Sequence, residues 1–175
     1  VIAGIDPDPK VSGKGVAALE GAGIAVVHLV DFEGAARAIN PGYIKRQQLG
    51  LPYVCCKLAM SLDGRTALAN GESKWISSAA ARADVQKQRA RSSAIVTGIG
   101  TVLADDPSLN LRGEELDLDP ESRAYNKMSL ARQPLRVVLD SHLRTPAAAR
   151  IIAADGEGLI YTVKAVPKDQ AFPDN

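Results

Sequence analysis

The chain has 175 residues, of which 46% are hydrophobic and 23% charged, a balance that excludes wholesale disorder. Its formal net charge of +1 gives no general reason to expect a nucleic acid or a membrane surface as partner, so an anionic ligand needs a local cluster of cations. No apolar run approaches the roughly 20 residues of a membrane-spanning helix, and we predict a cytoplasmic protein.

The first part of the chain alternates strand and helix patterns. Residues 1–5 and 24–30 are apolar runs typical of buried strands, and residues 16–20 predict a short helix between them. Asp31 is the expected N-cap of a second helix, which extends to Ile39. This β-α-β-α order predicts part of a parallel sheet with helical cover.

A break at Gly50-Leu51-Pro52 divides the chain into predicted domains 1–50 and 51–175. The second domain opens with an apolar run at residues 53–60, predicted to be a strand that contains Cys55 and Cys56. Neighbouring side chains of a strand point to opposite faces, so these two cysteines are not expected to share a metal ion. A turn at Asp63-Gly64 should then return the chain through residues 66–69.

Further along, Ser77 or Ser78 is the expected N-cap of a helix that runs through Arg91. Short apolar runs predict strands at residues 94–97, 135–139 and 159–163, with a helical turn at 101–104. Residues 113–128 are acidic and polar, and predict a flexible excursion.

The isolated motifs do not determine a function. Gly98-Ile99-Gly100 follows a strand, but Leu103 stands where a dinucleotide fingerprint needs its third glycine. Four arginines suit phosphate binding by their planar guanidinium groups, although composition alone favours a solvated helix face: Arg82, Arg89, Arg91 and Arg112. The single tryptophan, Trp75, is by itself more typical of a core than of a cofactor site.

An ordered series of longer motifs resembles the reductase half of the bifunctional deaminase/reductase family of riboflavin biosynthesis. These motifs lie at residues 57–65, 71–76, 82–86, 89–92, 101–109 and 137–141. Residues 6–9 and 11–15 look like the end of the fused deaminase, and residues 40–46 like the bridge between the two halves. Because several motifs occur in the correct order, the resemblance is specific.

The resemblance implies an α/β protein: the end of a cytidine-deaminase-like αβα domain, followed by the first half of a dihydrofolate-reductase-like αβα domain. The implied reaction is the NADPH-dependent reduction of 5-amino-6-(5-phosphoribosylamino)uracil to its ribitylamino product. The family's other activity is a zinc-dependent hydrolytic deamination of the diaminopyrimidine precursor. The sequence lacks that deaminase's His-x-Glu and Pro-Cys…Cys signature, so we assign no metal ligand here.

The resemblance also implies site residues, position by position. NADPH is expected to contact six residues: Ala59, Trp75, Ser77, Thr101, Asp105 and Ser141. The pyrimidine ribosyl phosphate is expected to contact four: Ser73, Arg89, Leu109 and Arg112. Lys57 and Asp105 are the candidates for moving a proton, although a solvated lysine and a capping aspartate are equally good interpretations of these two.

Two alternatives stay open. The chain could be a dihydrofolate-reductase-like enzyme with another substrate, or a catalytically inactive fragment that acts as an assembly module. The family's glycine-rich phosphate loop and a substrate-contacting glutamate are expected beyond Asn175, so we expect this chain alone to be inactive. We also expect a homo-oligomer.

Overall fold

The structure, a computed structural model, describes residues 1–73 and 76–163. The chain divides into two compact units, Val1–Leu58 and Ala59–Asn175. Within the described residues, no helix combines the length and the apolar character that crossing a membrane requires.

Three helices form most of the regular structure of the first unit: α1 (Lys14–Gly21), α2 (Glu33–Ile39) and α3 (Pro41–Leu49). The start of α3 follows from its sequence, because the Asn40 side chain accepts a hydrogen bond from the Tyr43 amide (3.4 Å) and proline occupies the first turn. Its end is set by Gly50, which adopts the left-handed conformation (φ 67°).

The two strands predicted for the first unit are reduced to a single parallel bridge between Ile2 and His28. The Ile2 amide donates to the Val27 carbonyl and the Leu29 amide to the Ile2 carbonyl, both at 2.8 Å. The predicted parallel direction is therefore present, but a longer ladder would need neighbouring strands, and the described residues of this unit supply none.

Two further predictions for this unit need correction. Asp31 is not a helix N-cap, because it lies in the 3₁₀ turn Val30–Phe32, and α2 begins after Phe32 without a side-chain cap. The expected strand at residues 53–60 has neither strand nor helix geometry, and Cys55 and Cys56 are exposed. A strand needs a regular ladder of backbone hydrogen bonds, and residues 53–60 do not form one with the described part of the chain.

A side-chain hydrogen bond joins two of the motifs that carried the family resemblance. The Tyr43 hydroxyl donates to Asp6 Oδ1 at 2.7 Å. This bond raises the pKa of Tyr43 to about 12, since removing the phenol proton would place two negative charges side by side.

The second unit contains a three-stranded parallel sheet in the order β1-β2-β3. Its strands are β1 (Ala94–Gly98), β2 (Leu135–Leu139) and β3 (Gly158–Tyr161), which confirms the three predicted strands with small shifts of their ends. The remaining helices are α4 (Ala79–Arg91), α5 (Ile99–Asp105), α6 (Pro120–Tyr125), α7 (Lys127–Ala131) and α8 (Arg150–Ala153).

Helix α4 was predicted almost to the residue. Of the two candidate N-caps, Ser78 is the cap: its hydroxyl oxygen accepts from the Ala81 amide at 3.2 Å. The predicted turn at Asp63-Gly64 is also present, with the Gly64 amide bound to the Ser61 carbonyl at 2.9 Å. The chain makes another turn, not a strand, over residues 66–69.

A small core covers one face of the sheet. Side chains of α5 and α8 pack against Val138 of β2, and the core consists of Ile99, Val102, Val138, Ala149, Ile151 and Ile152. On the other face, Val96, Leu139 and Tyr161 are exposed. Among the described residues, helices therefore cover one face of the sheet, and these three side chains of the other face are exposed.

Residues 113–128 are not the predicted flexible excursion. They contain a 3₁₀ turn, Gly113–Glu115, then α6 and the start of α7. Asp119 caps α6 by accepting from the Ser122 amide (2.8 Å), and proline follows it at the first helical position. The polar composition did not indicate these helices, because the residues that form helix caps and turns are themselves polar.

Three side chains from elsewhere fasten residues 111–116, which we call the fastened segment. Gln133 accepts from the Leu111 amide (2.8 Å) and donates to the Leu111 carbonyl (3.1 Å), as a neighbouring strand would. Arg123 donates to the carbonyls of Gly113 (2.7 Å) and Leu116 (3.0 Å). Gln86, on α4, accepts from the Arg112 amide at 3.2 Å. The segment is therefore ordered without belonging to the sheet.

A buried guanidinium holds the loop before β3. Arg136 of β2 is fully buried, and its nitrogens donate to the carbonyls of Ala154 (2.7 Å), Asp155 and Gly156 (2.8 Å). Burial lowers the pKa of this arginine, and the Asp155 carboxylate acts in the opposite direction. The fork of the guanidinium suits this task because its several N–H groups diverge in one plane.

We expect Gly156→Ala to destabilise the second unit by about 1–3 kcal/mol. Gly156 has φ +91°, and a Cβ built on it would lie 2.7 Å from Gln133 Cβ. Gly100→Ala is the matched control, because it lies within α5 and a Cβ there meets no atom within 4 Å. Urea unfolding followed by circular dichroism measures both, and equal midpoints for the two variants would contradict the prediction.

Candidate functional site

The carboxyl ends of the parallel strands bring two of the predicted cofactor residues to one edge of the sheet. Gly98 of β1 is paired with Leu139 of β2, so Thr101 and Ser141 both follow shortly after paired strand ends. Thr101 lies on α5 and is exposed, as is Ser141. In open α/β sheets, ligands bind outside the carboxyl ends of the strands, so this edge is a candidate binding surface.

The loop that carries Ser141 is fixed by the preceding aspartate. Asp140 is buried, and its Oδ2 accepts from the Arg144 amide (2.6 Å), the Thr145 amide (2.7 Å) and the Thr145 hydroxyl (2.8 Å). Burial acts to raise the pKa of Asp140, but the hydrogen bonds from Thr145 and nearby backbone amides outweigh it, and the pKa lies below its ordinary value of 3.8. Ser141 therefore follows a rigidly held residue.

A second contact joins two predicted site residues that are far apart in sequence. The Ser73 hydroxyl donates to Asp105 Oδ1 at 3.1 Å. Asp105 is the last residue of α5 and is exposed. A predicted substrate contact thus meets the residue predicted to serve both the cofactor and proton transfer, and the accessible carboxylate is suitable for accepting a proton.

Two arginines predicted to bind the substrate form a cationic cluster. Arg89, in the last turn of α4, donates from Nη1 to the Asn110 carbonyl at 2.9 Å. Burial lowers the pKa of the half-buried Arg89, the positive charge of Arg112 lowers it further, and the Glu115 carboxylate acts to raise it. Arg89 binds the Asn110 carbonyl, and Gln86, one turn earlier on the same helix, binds the Arg112 amide. Both arginines therefore lie along one contact between α4 and residues 110–112, where an anionic ligand would reduce their repulsion.

Two residues of this cluster were not predicted from the sequence. Glu115 Oε1 forms an ion pair with Arg112 Nη1 at 2.8 Å, and Glu115 Oε2 accepts from Gln86 Nε2 at 3.0 Å. Gln86 is only 1% exposed. No sequence signal identified these two residues, because the burial that makes the Gln86 amide require hydrogen-bond partners is visible only in the structure.

The other predicted residues are placed separately. Ala59 begins the second unit and Lys57 is an exposed residue of the first. The Ser77 carbonyl accepts from Arg82 at 2.7 Å. Leu109 has φ +51° and packs partly against the core. Trp75 lies outside the described residues.

Two surface hollows of the first unit contain none of the predicted site residues. One is lined by residues of α1 and of the segment before it, including Val11 and Leu19. The other lies between α2 and α3 and includes Tyr53. The candidate site is therefore defined by the sheet edge and the arginine cluster of the second unit.

Comparison with protein families identifies residues 52–172 as a match to the RibD C-terminal domain. Among curated proteins, the chain is 47% identical over 172 residues to the riboflavin biosynthesis protein RibD of Haemophilus influenzae, covering 97% of this chain and 44% of that protein. It is also 47% identical over 152 residues to RibD of Escherichia coli, covering 87% of this chain and 41% of that protein. The chain thus spans less than half the length of these relatives.

Solved structures give the same result. The chain is similar to Acinetobacter baumannii RibD with a TM-score of 0.76 and 44% identity, covering 93% of this chain and 43% of the other. It is similar to a Thermotoga maritima diaminohydroxyphosphoribosylaminopyrimidine deaminase/5-amino-6-(5-phosphoribosylamino)uracil reductase with a TM-score of 0.74 and 30% identity, covering 96% and 42%. The mixed α/β architecture with a parallel sheet matches these proteins. The chain belongs to the RibD C-terminal domain family.

Proposed function

We propose that residues 51–175 are part of an NADPH-dependent reductase domain that converts 5-amino-6-(5-phosphoribosylamino)uracil to its ribitylamino product. Residues 1–50 are then the end of a deaminase domain. Family membership and the activity in the name of the Thermotoga maritima relative support this proposal. We expect the protein to act in the cytoplasm as a homo-oligomer.

The observation that carries the proposal is the arginine cluster. A ribosyl 5'-phosphate needs cations that are held in place, and two residues of α4, Gln86 and Arg89, bind the segment that carries Arg112. Arg89 is anchored to the Asn110 carbonyl, and the Arg112 amide is anchored to Gln86. Guanidinium groups bind phosphate through paired N–H donors, so anchored arginines bind it with less loss of entropy.

The sheet edge fits a nicotinamide cofactor. Thr101 and Ser141 lie beyond paired strand ends, and a Cβ built on Gly98 or Gly100 meets no atom within 4 Å, so the backbone there is open to a ligand. NADPH supplies the hydride when bound. The task of this chain's residues is to hold cofactor and substrate in register and to exclude water. Ser73 would contact the substrate and Asp105 the cofactor, with Asp105 or Lys57 moving the proton.

The zinc-dependent deaminase step is not assigned to this chain. The sequence contains no His-x-Glu or paired-cysteine deaminase signature. Among residues 1–73 and 76–163, no three His, Cys, Asp or Glu side chains cluster as a metal site. We propose that zinc binding and deamination belong to the part of the relatives that this chain does not span.

We expect Arg89→Met and Arg112→Met each to weaken binding of 5-amino-6-(5-phosphoribosylamino)uracil about 10- to 100-fold, because each removes charge-assisted hydrogen bonds to the phosphate. Isothermal titration calorimetry on the 175-residue chain measures the affinity. Arg91→Met is the matched control, since Arg91 is an exposed residue of the same helix turn and should leave the affinity unchanged.

The same titration separates the alternative functions. The phosphate-free ribosylaminouracil should bind the wild type and both variants equally, because the arginines then have no partner. Tight binding of dihydrofolate would instead favour a dihydrofolate-reductase-like enzyme with another substrate. A folded chain that binds neither NADPH nor the phosphorylated pyrimidine would favour an assembly module.

A further inference from the structure

The Glu115 carboxylate occupies the arginine cluster through both of its oxygens. Oε1 pairs with Arg112 Nη1 at 2.8 Å, and Oε2 accepts from Gln86 Nε2 at 3.0 Å. Gln86 is 1% exposed and also accepts from the Arg112 backbone amide at 3.2 Å. One buried amide thus fixes both the backbone of Arg112 and the carboxylate that neutralises its side chain.

This arrangement changes the charge of the cluster. Arg89 and Arg112 carry two positive charges, and the Glu115 carboxylate offsets one of them at contact distance. The Glu115 charge also acts on Arg89, whose pKa it raises against the repulsion from Arg112. A phosphate that binds Arg112 Nη1 therefore competes with Glu115 for the same donor, because two anions on one N–H group repel each other.

We infer that Glu115 is a built-in counter-anion of Arg112 that a phosphorylated ligand displaces, and that it limits the affinity of the cluster for phosphate monoesters. This inference rests on the proposed role of Arg89 and Arg112 in phosphate binding. Displacement favours a ligand with more negative charge than the carboxylate, so Glu115 selects phosphate monoester dianions over singly charged ligands. Residue 115 thereby becomes a determinant of specificity that touches the phosphate-binding residue.

Calorimetric titration with ribose 5-phosphate tests this inference on the 175-residue chain. Glu115→Gln removes the charge and should tighten ribose 5-phosphate binding about two- to fivefold, within the range expected for a partly exposed ion pair. Glu114→Gln is the matched control, because it removes the same charge from the neighbouring exposed residue of the 3₁₀ turn. It should change the affinity less than twofold. A gain in affinity is informative because damage to the fold lowers affinity.

The outcomes separate this inference from the proposed function. If Arg112→Met weakens ribose 5-phosphate binding but Glu115→Gln does not tighten it, only the counter-anion role fails. If Arg112→Met has no effect, the phosphate site fails and the inference with it. An equal gain in ribose 5-phosphate affinity from Glu114→Gln would mean that the effect comes from the net charge and not from the position of Glu115. That result would overturn the inference. Should Glu115→Gln not fold, Glu115→Ala provides the same loss of charge. In an Arg112→Met background, the gain in ribose 5-phosphate affinity from either Glu115 variant must disappear.

Discussion

Arg136→Met should lower the free energy of unfolding of the second unit by about 3–5 kcal/mol. The fully buried guanidinium donates to the carbonyls of Ala154, Asp155 and Gly156. Methionine fills much of the same volume but donates no hydrogen bond, so three acceptors lose their common partner. Urea unfolding followed by circular dichroism measures the loss.

Arg136→Lys should give an intermediate loss, because one ammonium group does not reach three diverging carbonyls with good geometry. Arg150→Met is the matched control: Arg150 is an exposed arginine of α8, and its loss should cost less than about 0.5 kcal/mol. If Arg136→Met unfolds at the same urea concentration as the wild type, the carbonyls do not depend on this side chain.

Asp140→Ala should destabilise the chain by about 2–4 kcal/mol at neutral pH, because it removes the common acceptor of three hydrogen bonds from Arg144 and Thr145. Asp140→Asn should cost about 1–2 kcal/mol, since one amide oxygen can replace Oδ2 but without the negative charge. Exposed Asp117→Ala is the control and should be nearly neutral.

The same aspartate predicts a pH dependence. Its folded-state pKa is below the ordinary value of 3.8, so it binds a proton more weakly in the folded chain than in the unfolded one. Its contribution to stability is therefore complete above pH 3.8 and is lost as the pH falls through the lower folded-state value. The stability difference between wild type and Asp140→Asn should shrink on acidification below that pH. A difference that stays constant or grows would contradict the assignment.

The parts of the fold that the sequence predicted are those with local signals. Helix α4 has a serine N-cap, and β1 and β2 are short apolar runs between polar breaks. The sequence predicted these strands but not their pairing; the parallel order of β1, β2 and β3 is a finding of the structure. These elements need only their own residues and an adjacent partner, so a single sequence is enough to place them.

The secondary-structure predictions failed where the conformation of a segment depends on a partner from another part of the chain. Residues 53–60 have the composition of a strand, but composition does not supply the neighbouring ladder. The ordered structure of residues 113–128 depends on the hydrogen bonds of Arg123 and on the helix cap at Asp119. In the sequence, both residues resemble ordinary solvent-exposed polar residues. Tertiary hydrogen bonds of this kind have no periodic pattern.

The residues of the candidate site were also predicted only in part. Family motifs provided Ser73, Asp105, Arg89 and Arg112. The structure adds the hydrogen bond that joins the first two and the contacts of α4 with residues 110–112 that involve the last two. Gln86 and Glu115 were missed, because nothing in either residue's local sequence indicates the other across 29 positions. The assignment of each site residue to a ligand stays a prediction.

The fastened segment has a consequence for how this family tolerates variation. Most of its anchoring comes from side chains of Gln86, Arg123 and Gln133, which are spread over some distance of sequence. Exchanges at these polar positions would look harmless in an alignment and yet shift the guanidinium of Arg112. If Arg112 binds phosphate as proposed, losses of phosphate affinity in natural or laboratory variants should collect at glutamines and arginines that contact no ligand.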